Sequence, residues 1–182
     1  MVKVQFSEEM LHMLMELKGK MLISFECEND ERFSRSYGNL RINLSEYAIE
    51  LTNEENERPF FDQTEEITGF SCKRVEPSTK FQLMVNTETK VVPVEETIKS
   101  VEIVTDVISV NHGVYEIVFD EALIIQTESK TIMFSRDTWF SEVITISEHG
   151  DYDSVYPISS VMEDWNDFGE AEVEVFRSRK TL

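Results

Sequence analysis

Between Asp137 and Phe176 the sequence has eleven Asp and Glu residues but no Lys or Arg. The whole chain of 182 residues carries a formal net charge of -19 at pH 7. Self-repulsion of this size keeps a protein soluble and weakens its compact state. It disfavours direct contact with nucleic-acid phosphates or an anionic membrane, because both are negatively charged. We therefore expect no direct binding to nucleic acid or membrane, and we expect basic protein partners.

Glycine and histidine are also scarce, with 6 Gly and 3 His in the chain. The glycine-dependent motifs of phosphate loops, dinucleotide-binding turns and serine hydrolases are missing. None of His12, His112 and His149 has a second His or a Cys at the spacing of metal ligands. Carboxylate pairs are so numerous that they identify no acid–base pair. We predict that the protein is not an enzyme and has no catalytic residue, metal or cofactor.

Long apolar runs are missing as well, since no stretch approaches eighteen uncharged apolar residues. The first twenty residues are interrupted by charges and lack the pattern of a signal peptide. Cys27 and Cys72 both lie in alternating apolar segments, which is typical of buried thiols in a reducing compartment. These features predict a soluble cytoplasmic protein.

Hydrophobic periodicity predicts one helix followed by many strands. Ser7 is placed to cap a helix in which Met10, Leu11, Leu14 and Leu17 recur at helical spacing. After Gly19 the period becomes two, as in strands, and turn-forming residues separate the segments. The alternating segments are MLISFECE, LRINLSEYAIEL, EITGFSCKRV, KFQLMV, SVEIVTDVISV, VYEIVF, ALIIQT, TIMFS, EVITIS and AEVEVF, and ISSVMEDW is typical of a short helical turn. The predicted class is α+β, mainly antiparallel β. It would be a meander closed into a barrel or sandwich, with an N-terminal helix and a short C-terminal helical turn.

The length favours a single domain over residues 1–182. A faint internal similarity offers an alternative, because residues 37–54 can be aligned with residues 112–129. In that case the domain would be a pseudo-repeat of two β modules, at about 20–90 and 97–182, with a boundary near TETKVVPVEE.

The acidic charge is concentrated in the second half of the sequence. Residues 1–99 contain nineteen acids and twelve bases, whereas residues 100–176 contain seventeen acids and two bases. In GEAEVEVF, a strand would place three alternating carboxylates on one face, spaced by roughly 6.6–6.8 Å. That spacing is on the scale of the charge repeat of a nucleic-acid strand, which is about 3.4 Å per phosphate. The candidate partner-binding residues are Asp151, Asp153, Glu163, Asp164, Trp165, Asp167, Glu170, Glu172 and Glu174.

Two other interpretations use the same residues. Alternating glutamates are also typical of the solvent-exposed face of an ordinary half-buried strand. A calcium loop fails, because DWNDFGEAE places Phe168 at the third ligand position and Val175 at the closing one.

The preferred hypothesis is a small acidic inhibitor that blocks a basic nucleic-acid-binding protein, such as a nuclease. In charge and size the chain resembles the nucleic-acid-mimic inhibitors that phages and mobile elements carry against restriction or CRISPR nucleases. The resemblance covers no alignable motif, and it implies the host-cell cytoplasm as the location if the chain is phage-encoded. The alternatives are an immunity protein that neutralises a basic toxin, or a soluble structural β-protein with no catalytic role.

Overall fold

The computed structural model describes residues 1–28, 35–60, 63–85, 88–166 and 172–182. Within these ranges the chain forms twelve strands and three helices. In chain order they are β1 (Val2–Val4), α1 (Glu8–Met15), β2 (Met21–Glu28), β3 (Arg35–Tyr37), β4 (Asn39–Leu44), β5 (Ala48–Phe60), β6 (Gln63–Val75), β7 (Thr89–Thr97), β8 (Ser100–Val110), β9 (Tyr115–Gln126), β10 (Thr131–Arg136), β11 (Val143–Ser147), α2 (Tyr152–Val155), α3 (Ile158–Asn166) and β12 (Val173–Thr181). No helix in the described ranges is long and apolar enough to cross a membrane.

The strands form two sheets. One has five strands in the order β6-β5-β4-β2-β7, and the other has seven, with the order β12-β8-β9-β10-β11-β3 and β1 added beside β9. Neighbouring strands are antiparallel except for the parallel pair of β1 and β9. The predicted α+β class with mainly antiparallel β structure is confirmed, and the sheets have the sandwich form rather than the barrel form.

The main core lies between the two sheets. Alternate residues of the five-stranded sheet, such as Leu22 and Phe25, pack with Leu123 and Phe134 of the seven-stranded sheet. The rings of Phe25 and Phe134 meet edge to face with centroids 5.6 Å apart. Burial of each such side chain contributes roughly 1.5–3 kcal/mol, so period-two patterning translates directly into the sandwich.

Helix α1 forms where the sequence predicts it. The Met10 backbone N–H donates to Ser7 Oγ at 3.2 Å, which caps the first turn. Leu14 and Leu17 are fully buried against the main core. The helix ends at Met15, and Gly19 takes a φ of +83° in the turn that follows, a conformation that favours glycine.

A second apolar cluster contains residues from the helical segments at the C-terminal end. Trp165 of α3 and Trp139 lie with ring centroids 4.7 Å apart, and Trp139 stacks on Phe119 of β9 at 5.2 Å. Val161 of α3 and Val173 of β12 complete this cluster. The C-terminal acidic segment is therefore anchored by its apolar residues.

The KFQLMV segment (Lys80–Val85) was predicted as a strand, and that prediction is wrong. Side chains satisfy its backbone groups instead of a neighbouring strand. The Glu28 carboxylate accepts from the backbone N–H groups of Met84 and Val85. The Asn39 amide donates to the Gln82 carbonyl at 2.6 Å. Because these acceptors and donors come from buried side chains, alternation alone does not make this segment a strand.

The aligned segments 37–54 and 112–129 have different structures. The first includes β4 and the beginning of β5, which form a hairpin, whereas the second includes the single long strand β9. The VYEIVF and ALIIQT segments are both parts of β9, with a β-bulge opposite Val104 and Thr105. The TETKVVPVEE segment contributes to β7, the edge strand beside β2, where Pro93 removes no central hydrogen bond.

Candidate interaction face

Two of the predicted partner-binding acids, Asp151 and Asp153, are ion-paired within the protein. Asp153 Oδ1 lies 2.9 Å from Arg177 Nη1, and its Oδ2 lies 3.3 Å from Arg179 Nη2. Asp151 Oδ1 is 3.4 Å from the same Arg179 nitrogen. Partial burial acts to raise the pKa of Asp153, but the hydrogen bonds and charges of the two arginines bring it below its usual range. Asp151 and Asp153 are thus ion-paired with Arg177 and Arg179 of β12.

Arg177 is fixed in place by a buried partner. It lies opposite Asp106 in the register of β12 and β8, and the two groups form two hydrogen bonds of 2.8 and 2.7 Å. The side chains of Asp106 and Arg177 are 0% and 4% exposed. The guanidinium also stacks over the Tyr152 ring at 4.5 Å. This bidentate geometry is the strongest type of protein ion pair, and it places a positive charge under Asp153.

Trp165 is buried, whereas Asp164 is exposed but hydrogen-bonded within the protein. Trp165 is only 2% exposed, because its ring packs against Trp139 and, at 5.9 Å, against Phe60. The Asp164 carboxylate accepts a hydrogen bond from the Tyr156 hydroxyl. A buried ring of this kind contributes to folding, so we do not include Trp165 among the exposed contacts.

Of the remaining predicted acids, one lies beside a histidine, two are exposed without an ion pair, and two lie outside the described residues. Glu172 lies 3.0 Å from His112 Nε2, and both side chains are exposed. Glu163 and Glu174 are exposed and have no ion pair among the described residues. Asp167 and Glu170 lie outside the described residues.

A larger set of unpaired carboxylates lies on the hairpin of β5 and β6. We call it the acidic hairpin face, and its residues are Glu54, Glu55, Glu57, Glu65, Glu66 and Glu142. Strand alternation puts Glu55, Glu57 and Glu66 on one side of the hairpin and Glu54 and Glu65 on the other, where Arg58 is opposite Glu65 in the register. Within the described part of the chain, none of these carboxylates has a Lys or Arg nitrogen within 4.0 Å. Glu57 and Glu66 are directly opposite each other in the strand register, a like-charge pairing that destabilises a sheet. The face therefore carries charge that folding leaves uncompensated.

Glu142 joins this face because its loop is bonded to the hairpin. The Asn53 side chain donates to the carbonyls of Ser141 and Val143 at 2.9 and 3.3 Å. The pKa of Glu142 is raised, first by partial desolvation and then by the charges of Glu55 and Glu54. The Glu55 backbone N–H donates to the carboxylate and opposes the shift. Glutamates from two segments are thus close enough to repel each other.

Aromatic rings border the same face. A concavity of about 500 Å³ is lined by Glu55, Glu57, Thr64, Glu65, Glu66 and Phe140. Phe140 is 46% exposed, and its ring centroid lies 6.4 Å from that of Phe60. Phe60 also contacts Tyr115 at 6.1 Å. An exposed ring among carboxylates offers apolar area that a partner could bury, as the anchors of protein interfaces do.

The sequence prediction missed this face for a simple reason. Five of its six glutamates lie in the first half of the chain, where twelve bases dilute the average charge. Arg58 is the only Lys or Arg between Glu54 and Glu66, and this local density is the signal that could have identified the hairpin.

The described residues contain no group of three or more His, Cys, Asp or Glu side chains arranged to hold a metal ion. Cys27 and Cys72 are buried free thiols. Burial is the largest cause that raises their pKa values, to about 11 for Cys27 and about 12 for Cys72. Both thiols therefore stay protonated at neutral pH, which makes them weak nucleophiles.

Comparison of the chain with protein-family models, with curated proteins and with solved structures found no match. The functional argument therefore depends on the geometry and charge described above.

Proposed function

We propose that this protein binds a basic nucleic-acid-binding protein through the acidic hairpin face and blocks its nucleic-acid site. The observation that carries the proposal is the group of six carboxylates with no Lys or Arg within 4.0 Å in the described structure. A nuclease targeted by a phage or mobile-element inhibitor is the kind of partner that fits this chemistry.

Charge and spacing both support a partner that normally holds a nucleic-acid backbone. Glu55 and Glu57 are two residues apart on one strand, so their Cα atoms are separated by roughly 6.6–6.8 Å. A surface that binds phosphates every ~3.4 Å along a strand can accept carboxylates at about twice that interval. Long-range attraction would accelerate the encounter, and burial of Phe140 would slow dissociation.

The C-terminal acids contribute less to this proposal. Asp151 and Asp153 are compensated by arginines, and Glu172 lies 3.0 Å from His112. Glu163 and Glu174 are exposed and are proposed as secondary contacts.

The test compares two triple charge reversals. The first, E55K/E57K/E66K, changes three exposed residues of the acidic hairpin face. The matched control, E76K/E88K/E148K, changes three exposed glutamates outside that face and alters the net charge equally. The wild-type protein and both variants are used to capture partners from a host lysate at about 0.1 M salt, and the captured complexes are washed at about 1 M salt.

The expected partner is a basic nucleic-acid-binding protein that added DNA displaces. We expect the hairpin variant to lose at least about 100-fold in affinity for it at ~0.1 M salt, because like charges across an interface cost several kcal/mol. The control variant should bind within severalfold of the wild type. Equal loss in the two variants would mean that only net charge matters. Equal retention, or a partner that DNA does not displace, would contradict the proposal.

A further inference from the structure

Strand β12 forms one edge of the seven-stranded sheet. It pairs with β8 over nine residues without a register shift, it contains no proline, and no other strand lies on its far side within the described ranges. Natural edge strands are usually short or interrupted, because a regular free edge can pair with another chain. β12 is neither short nor interrupted.

The other sheet edges differ from β12. β7 contains Pro93 and also Glu95, whose φ is +57°, and its register with β2 shifts once. β3 has three residues. The edge of β6 is covered at Thr68, whose backbone N–H donates to the Trp139 carbonyl at 2.8 Å. Of these four edges, only β12 is long, regular and without a backbone partner on its far side in the described part of the chain.

Alternate residues of β12 direct their backbone groups to the free edge. The Glu172 carbonyl accepts from the Asn111 N–H at 2.8 Å, and the Leu182 N–H donates to the Val101 carbonyl at 2.9 Å. Even-numbered residues therefore bond to β8, and the N–H and C=O groups of odd-numbered residues point away from it. A strand that adds to this edge must bond to the odd-numbered residues.

The centre of β12 has an exposed aromatic ring. Phe176 is 59% exposed, and Val107, its neighbour across the register on β8, is only partly buried. Both side chains lie on the same face of the sheet, because paired residues of neighbouring strands share a face. This part of the edge therefore keeps apolar area that a partner could bury.

The charges on the Phe176 face of β12 divide into an acidic and a basic end. Glu172 and Glu174 precede Phe176, and Lys180 follows it; even positions share one face of a strand. Glu174 and Lys180 are exposed and have no ion pair among the described residues. The two arginines of the strand lie on the opposite face, where carboxylates of the protein pair with them. The strand is thus complementary in charge to an antiparallel copy of itself.

We propose that β12 pairs with β12 of a second copy of this chain, so that the two seven-stranded sheets join into one. A two-fold axis at Phe176 pairs odd-numbered residues with odd-numbered ones, as the outward backbone groups require. It places the two Phe176 rings in a non-hydrogen-bonded pair, where side chains are closest, and Glu172 of each copy opposite Lys180 of the other. An axis at Arg177 would instead place two like charges opposite each other.

This inference is independent of the proposed function, because no residue of the acidic hairpin face takes part. The net charge of -19 on each copy opposes association at low salt. β12 is nevertheless a favourable place for contact, since it contains Arg177, Arg179 and Lys180 out of the 17 bases of the chain. The test is therefore made at about 0.5 M salt, where the Debye length lies between about 3 and 8 Å.

Sedimentation equilibrium of the purified full chain measures the association. We expect the average mass to rise from one chain toward two as concentration increases, with a Kd of about 1–100 μM, as for small interfaces. A mass that stays at one chain up to about 0.5 mM would overturn the proposal.

A pair of serine variants tests the position of the contact. F176S removes the central ring from each copy, so it should weaken the dimer about tenfold or more. V91S is the matched control, because Val91 is 57% exposed on the edge strand β7, and it should dimerise like the wild type. Equal Kd values for F176S and V91S would show that β12 is not the interface.

A charge exchange tests the second copy and the register together. K180E and E172K each place like charges opposite one another twice in the dimer, so each should weaken self-association about tenfold or more. In an equal mixture of the two variants, every such position joins a carboxylate to an ammonium group, and dimerisation should recover. A mixture as weak as the separate variants, or unchanged self-association of K180E, would overturn this register.

Discussion

The C-terminal acidic block (residues 137–176, of which Glu142 adjoins the hairpin) and the acidic hairpin face are both rich in carboxylates, but their carboxylates are paired to different extents in the folded protein. In the block, Asp151 and Asp153 meet Arg177 and Arg179 across 24 to 28 residues of sequence. On the hairpin, Glu57 instead faces Glu66. Part of the region that has no cation in its own sequence is therefore compensated in three dimensions, whereas the hairpin carboxylates have no Lys or Arg nitrogen within 4.0 Å in the described structure.

The difference comes from strand register. β12 pairs with β8 so that Arg177 comes to lie on the buried Asp106, and this pairing brings Arg179 to the rim of α2. The β5–β6 hairpin has no equivalent cationic strand beside its tip, since β6 is the edge of the five-stranded sheet. For this reason the proposed function rests on charge that stays unpaired after folding rather than on charge in the sequence.

Replacing Arg177, which pairs with Asp106 and Asp153, should lower the stability of the protein more than any other change considered. R177M leaves the Asp106 carboxylate buried without its partner, so we expect a loss of about 3–5 kcal/mol in the free energy of unfolding. R179M, at a side chain that is 37% exposed, should lose less than about 1 kcal/mol. Urea denaturation of both variants measures the difference.

The double variant D106L/R177M distinguishes the contribution of the ion pair to stability from that of the packing around it. Because a buried ion pair can be replaced by apolar residues with little loss, this variant should recover most of the stability that R177M loses. If R177M were as stable as R179M, the compensation of the C-terminal block would not depend on the buried pair.

Local patterns predicted the fold well because strands such as β11 bury alternate residues, although β9 and β10 are buried on both faces. Alternation in MLISFECE matches β2, and the Ser7 cap matches the beginning of α1. The same reasoning failed for Lys80–Val85, where Glu28 and Asn39 satisfy the backbone. Such side-chain acceptors come from distant strands, so no local pattern contains them.

The candidate site was harder to predict than the fold. Whether an aspartate is free depends on which arginine the sheet register brings to it, and the pairing of Arg177 with Asp106 spans 71 residues. Trp165 illustrates a similar difficulty, because an aromatic ring among acids has the same sequence pattern whether it is an exposed contact or part of the core. Glu163, Asp164 and Glu174 were predicted and are exposed without an ion pair in the described ranges, and of these Asp164 accepts a hydrogen bond from the Tyr156 hydroxyl.

Neutralising glutamates of the hairpin should raise the stability of the protein moderately, whereas replacing Arg177 lowers it. E57Q/E66Q removes the like-charge pair that faces across β5 and β6, so it should stabilise the free protein by roughly 0.2–1 kcal/mol at ~0.1 M salt. At ~1 M salt this gain in stability should nearly vanish, because the Debye length falls to about 3 Å. The control E76Q/E88Q should gain less, and an equal gain would show that the repulsion is spread over the whole surface.

The smallest expected effects are changes of stability with pH. Asp153 of the C-terminal acidic block and Glu142 of the acidic hairpin face should change the free energy of unfolding in opposite directions. The pKa of Asp153 is lowered in the folded protein, so its contribution is present above its unfolded value of about 3.9 and is lost as pH falls through the folded pKa. D153N should therefore be less stable than the wild type at pH 7, and this deficit should shrink as pH falls below about 3.9 and disappear once pH is below the folded pKa.

Glu142 has a raised pKa in the folded protein, so its ionised form destabilises the fold above that pKa. E142Q should be more stable than the wild type at pH 7, and its advantage should decline as pH falls through the folded pKa toward the unfolded value of about 4.3. Asp153 is exposed and Glu142 is partly exposed, so each difference should stay below about 1 kcal/mol. Denaturation of the wild type, D153N and E142Q across this pH range compares them directly. If the two differences changed with pH in the same direction, the charges at Asp153 and Glu142 would have the same energetic sign, and the contrast between a compensated and an uncompensated region would be lost.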